Sequence, residues 1–212
     1  IYIFNTKLVI LSAMNVKYSL TRYNSGGLFH IEGSEKVLIL NISGISLCSK
    51  LSSGGFVVAN KLDLLIIMTC QIQNTFAGLK GGVGKINKVV ATYIINTTFS
   101  KTYCENKGCA FHLKSIMNVT ILKSSFINIY SRLSGGIYLS NAYRLLIRNC
   151  KFQNNTSENS GGCLFIIETF MANILQSDFE YNKAETGDGG VAVIESSTSI
   201  VTFNNMFFFW FC

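Results

Sequence analysis

Acid–base, nucleophilic or metal chemistry needs carboxylates, histidines or thiols held close together, and this chain is sparing with all three. Its 212 residues carry 11 Asp and Glu against 18 Lys and Arg, with 2 His and 7 Cys. The aspartates are Asp63, Asp178 and Asp188. The grouping with most chemical potential is Lys151, Asp178 and Glu180, a cation with two carboxylates that could exchange protons with a substrate; Glu185 and Asp188 follow close behind. Cys104 and Cys109 flank a short turn and could close a disulfide in an oxidising compartment. The run Lys80-Gly81-Gly82-Val83-Gly84-Lys85 has the glycines and lysines of a phosphate-cradling loop. Such a loop also needs Ser or Thr after the second lysine and a helix behind it. Position 86 is Ile and β-branched residues follow, so no nucleotide cofactor is expected.

What must position these groups is a repeat. Glycine pairs, or Gly-Cys, each followed by an apolar run, begin at Gly26, Gly54, Gly81, Gly108, Gly135, Gly161 and Gly189, at intervals of 28, 27, 27, 27, 26 and 28 residues. Counted from each pair, residues fall into columns of one chemistry. One column holds Ile39, Ile67, Ile94, Ile121, Ile147 and Ile174, closed by Thr202; another holds Phe99, Phe126, Phe152, Phe179 and Phe207. A polar column of Asn41, Thr69, Asn96, Lys123, Asn149, Gln176 and Asn204 stands beside a column of small residues from Cys70 to Asn205. The segments are short, β-branched and aromatic, which reads as strands rather than helices.

A period near 27 residues therefore predicts an all-β solenoid of about 7–8 turns, three short strands to a turn. Successive turns stack at roughly 4.8 Å, and like residues form ladders up a narrow core. The asparagine column marks a corner, since Asn tolerates the left-handed backbone region. The absence of Pro fits, because every central strand must donate its amides to the next turn. His30 and His112 share one offset with Lys85 and are expected to face solvent, about 14 Å apart and too far for a shared metal. Lys151 and Asp178 share an outward column one turn apart, the spacing of a surface ion pair.

These ladders resemble the right-handed parallel β-helix of the pectin-lyase-like superfamily. The Gly-Gly-apolar pairs and the Phe-x-x-Asn motifs at Phe152–Asn155 and Phe179–Asn182 are also similar to repeats of polymorphic outer-membrane proteins and protist surface proteins. The resemblance implies an extracellular or cell-surface location. It also raises an alternative, a polysaccharide-binding or polysaccharide-cleaving domain of lyase or hydrolase type, with Ca²⁺ as cofactor only in that case. The Asn-Thr-Asp, Asp-Asp, Gly-His-Gly and Arg-Ile-Lys signatures of polygalacturonases are absent from the chain.

With ladders specified in nearly every turn and no convergent polar cluster expected outside, the sequence reads first as a non-enzymatic segment, a rigid stalk or adhesive scaffold. The expected partners are glycans, other surface proteins and flanking repeats of the same longer protein. Lysines and arginines are scattered rather than run together, so no nucleic-acid track is expected. The apolar stretches Leu64–Met68 and Met206–Cys212 are far shorter than the roughly 18 residues of a spanning helix. Residues 1–212 read as one β-helix domain, an internal fragment with no polar cap at either end. The isolated chain is expected to self-associate, and a monodisperse monomer on a sizing column is the contrary result.

Overall fold

The β-branched and aromatic runs become strands lying across the coil axis, each paired with the same run one turn on. A computed structural model describes residues 1–22, 26–195, 200–204 and 207–209. Val57–Met68 pairs with Gly84–Ile95, then Phe111–Leu122, Ile137–Arg148 and Leu164–Leu175 follow, all parallel, so that Ile67, Ile94, Ile121, Ile147 and Ile174 lie in one register line. The second sheet runs through Gln71–Ala77, Thr98–Cys104, Ser125–Ser131, Lys151–Gln153 and Asp178–Glu180, aligning Phe99, Phe126, Phe152 and Phe179. The result is a parallel β-helix of about seven turns. Among the described residues no helix is long and apolar enough to cross a membrane.

The first two turns have the expected three short strands, as in Phe29–Glu32, Lys36–Leu40 and Ser43–Ser49. The next three depart from this, each with one twelve-residue strand, such as Gly84–Ile95, and one shorter strand, such as Thr98–Cys104, each bent once by a left-handed residue. One turn thus contains four left-handed positions, Gly81, Lys88, Asn96 and Lys101, with φ of 62°, 54°, 49° and 52°. The polar column is one of these corners: Asn41, Thr69, Asn96, Lys123, Asn149 and Gln176 all adopt positive φ. The glycine pair makes another. Gly81 supplies the left-handed φ, and a Cβ on Gly82 would meet the Cys109 carbonyl oxygen of the next turn at 2.5 Å.

Three columns end differently from the sequence expectation. Ile167 pairs with Glu195 but Met171 pairs with Ile200, so the register lengthens by one residue. Phe203, not Thr202, therefore stands opposite Ile174, and Phe208, not Phe207, opposite Phe179. Asn204 stands opposite Leu175 instead of joining the corner column. Asn205 and most of the run Met206–Cys212 lie outside the described residues.

The core is the stack of columns. Ile39, Ile67, Ile94, Ile121, Ile147 and Ile174 are fully buried. The rings of Phe126, Phe152 and Phe179 stack at 4.9 and 4.7 Å with interplanar angles of 8° and 2°, the spacing of the strands themselves. The small column works as a hydrogen-bond ladder. Ser124 Oγ donates to the Leu122 carbonyl at 2.9 Å and accepts the Thr97 amide at 3.3 Å; Ser177 does the same for Leu175 and Cys150. The Phe-x-x-Asn motif has a matching role. Buried Asn155 accepts the Ile129 amide and donates to the Phe126 carbonyl, both at 3.0 Å, and Asn182 repeats this toward Asn155 and Phe152.

Because Phe152 is stacked on both faces, Phe152→Ala is expected to lower unfolding free energy by about 3–5 kcal/mol in urea titrations. Phe170→Ala, at an exposed position, is expected to cost well under that, and equal costs at the two sites would contradict the ladder account.

Candidate functional site

The residues with chemical potential on the sequence are not gathered into one site. Lys151 and Asp178 are register partners, but the Lys151 ammonium pairs with Glu180 instead, Nζ to Oε2 3.0 Å, at the surface. Glu185 is engaged by Lys183 at 3.0 Å. Among the described residues no three His, Cys, Asp or Glu side chains come close enough to hold a metal ion. Cys104 and Cys109 are disulfide-bonded, Cα to Cα 5.1 Å, tying the end of one strand to the loop of the glycine pair. Cys70, Cys150 and Cys163 are buried free thiols. Burial pushes all three up, Cys150 to about 11, so they pack as small hydrophobes rather than react.

His112 overturns the expectation that it faces solvent. Its side chain leaves the outer face of Phe111–Leu122, yet the residue is only 5% exposed. The cause is the glycine-pair loop, which folds back over that face. A Cβ on Gly108 would lie 2.8 Å from Tyr138 Cβ, and Lys107 Nζ sits 5.0 Å from the Tyr138 ring centroid. Tyr138 in turn stacks on the His112 imidazole at 5.0 Å and 14°, with Phe165 beyond it at 5.6 Å. The imidazole Nδ1 is buried without a hydrogen-bond partner. Burial first, then the charges of Lys80 and Lys85, hold its pKa down to about 3, so the ring is neutral near pH 7.

His112 lines a cleft of ≈ 330 Å³ together with Lys80, Lys85, Lys88 and Lys114. None of these lysines has an ion-pair partner among the described residues. The Lys80 pKa is lowered, chiefly by burial and then by Lys85, Lys107 and Lys114. A second cleft of ≈ 370 Å³ adjoins the first and shares Lys88 and Ser115 with it. Both sit at the left-handed bend of the long strands, where Lys88, Ser115 and Asn141 have φ of 54° to 55°. Beyond the bend runs an outward stripe of Val90, Met117, Tyr143 and Phe170, all exposed, with the Tyr143 and Phe170 rings stacked at 5.0 Å and 4°. The arrangement can hold an anionic group and rest a flat apolar surface beside it; among the described residues no carboxylate lines either cleft.

The other sheet carries a second polar cluster that the sequence did not suggest. Arg132 lies 3.6 Å from both Glu105 and Glu158, one turn to either side. The hydroxyls of stacked Tyr103 and Tyr130 donate to Glu105 and Glu158 respectively. The bond to Glu158 is the main cause that pushes Tyr130 up to about 12. Both carboxylates are occupied, which makes this an exposed structural ladder rather than an acid–base pair. The signal for the basic cleft lay in the period: Lys80 and Lys107 both precede a glycine pair, and Lys85 and His112 share one offset.

The fold defines the chain as a parallel β-helix repeat protein. Part of it is similar to the metabotropic glutamate receptor-like protein R of Dictyostelium discoideum, 32% identical over 87 residues. The match covers 38% of this chain and 5% of that much longer protein. No family model and no solved structure matches the chain.

The buried neutral imidazole makes a pH prediction. Above the unfolded value of 6.5, His112 is uncharged in both states and contributes no pH dependence. Between 6.5 and about 3 the unfolded chain takes up a proton that the folded site refuses, so stability falls as pH drops through that window. His112→Phe, which keeps a ring against Tyr138, is expected to flatten the acid limb of melting temperature against pH and leave the neutral limb unchanged. Superimposable acid limbs would refute this.

Proposed function

We propose that the chain is a non-enzymatic β-helical segment of a larger surface or secreted protein, serving as a rigid interaction scaffold. The observation that carries this reading is the outer groove, where stacked Tyr143 and Phe170 adjoin lysines that have no ion-pair partner, and a wall that has no carboxylate, among the described residues. A ladder continued through about seven turns gives that groove a stiff support. The Cys104–Cys109 disulfide supports an extracellular or cell-surface location. The match to a small part of a much longer receptor-like protein supports a segment within a larger chain, with flanking repeats as neighbours. The resemblance to the pectin-lyase-like superfamily and to Gly-Gly/Phe-x-x-Asn surface repeats belongs to the same proposal. Its partners are glycans or other surface proteins.

The aromatic pair also favours polysaccharide binding as the specific form of this role, since a sugar ring presents an apolar face to such a platform. Cleavage has less support. Lys151 and Glu180 belong to the other sheet, away from the groove.

The test is a panel of neutral and acidic polysaccharides offered to the purified protein, read for both binding and fragment release. Binding without new chain ends is expected, weakened about tenfold, or roughly 1.4 kcal/mol, by Tyr143→Ala with Phe170→Ala. Release of oligosaccharides from any polysaccharide would overturn the scaffold reading.

A further inference from the structure

Unbalanced charge gathers in the basic cleft. Lys80, Lys85, Lys88 and Lys114 line one concavity without a counter-charge among the described residues. Lys80 and Lys85 are half-buried and Lys88 and Lys114 exposed, and the charges of Lys80, Lys85 and Lys114 bear on the buried His112 in the same wall. Like charges brought together repel one another, and a compact oxyanion seated among them neutralises them. The neighbouring wall of Val90, Met117 and Tyr143 suits an apolar or ring-bearing body to which that anion is attached.

We propose that this cleft binds a sulfate or phosphate ester group, with Lys80, Lys85, Lys88 and Lys114 as counter-charges beside the His112 imidazole in the same wall. The proposal rests on the scaffold reading and gives its ligand an anionic class. It also gives a use to Lys80 and Lys85, which bracket a glycine run that no helix follows: Gly84 opens a strand, so side chains rather than helix-terminal amides meet the anion.

The experiment follows the imidazole resonances of His112 by two-dimensional NMR on the full chain, with His30 as internal reference. Ionic strength is held constant with sodium chloride. The probes are inorganic sulfate, inorganic phosphate, a sulfated disaccharide, a phosphorylated disaccharide and the unmodified disaccharide. The expected result is a saturable shift of His112, with His30 unmoved, for sulfate or phosphate and for at least one of the two esters, and none for the unmodified sugar. Which ester binds more tightly identifies the source of the group. Lys80→Gln with Lys85→Gln is expected to weaken apparent affinity by about tenfold or more, while Lys151→Gln on the other sheet leaves it unchanged. If the double variant does not fold by circular dichroism, Lys114→Gln alone serves, with a loss of about threefold. A His112 signal that millimolar sulfate and phosphate move no more than chloride does overturns the inference. Polysaccharide binding that still depends on Tyr143 and Phe170 would in that case leave the scaffold reading standing, whereas fragment release beside a responsive His112 would do the reverse.

Discussion

Each turn of this molecule passes its backbone amides to the carbonyls of the next, and that shared ladder constrains everything else. Parallel pairing in register forces residues about 27 apart to stand directly over one another, so a side chain chosen in one turn must suit its neighbours above and below. Phenylalanines answer by stacking at the strand spacing, and isoleucines by filling one buried line. Ser124, Ser177, Asn155 and Asn182 use their side chains to bond backbone groups around the corners, extending the hydrogen bonding to places where straight strands end.

Closing the coil needs corners, and these carry the strain. Left-handed φ costs an ordinary residue roughly 1–2 kcal/mol, yet Lys61, Lys88, Ser115, Asn141 and Glu168 all adopt it at the bend of the long strands. The ladders on both sides of that bend fix its backbone, so the bend accepts Lys, Ser and Glu as well as Asn. A bend inside a strand also makes the outer surface concave, which is where the two clefts lie. Core geometry and groove geometry are therefore the same fact seen from two sides.

This explains what the sequence disclosed. The isoleucine, phenylalanine and asparagine columns were legible because burial or backbone conformation restricts those positions to a few residue types. The bend at Lys61, Lys88 and Ser115 was not legible, since lysine and serine have no marked left-handed preference, and the long strands were accordingly expected as separate short ones. His112 was misplaced for a related reason. Alternation along a strand gives the face a side chain leaves from, but not the loop that folds back to cover it. The lysines of the cleft, spread from Lys80 to Lys114, look scattered along the chain and converge only when it is wound on its own period. The same winding brings Arg132 between Glu105 and Glu158.

The unequal intervals between glycine pairs have a consequence for how such a molecule can change. Between Ser49 and Gly54 one turn has an extra residue relative to Ala77 and Gly81, yet the paired strands on either side keep their columns. The register also lengthens between Glu195 and Ile200, opposite the bend at Glu168. Additions and losses are thus absorbed where strands turn. An evolving lineage could lengthen or reshape the rim of the groove turn by turn, acquiring new specificities on the outside while the interior column remains the inherited part.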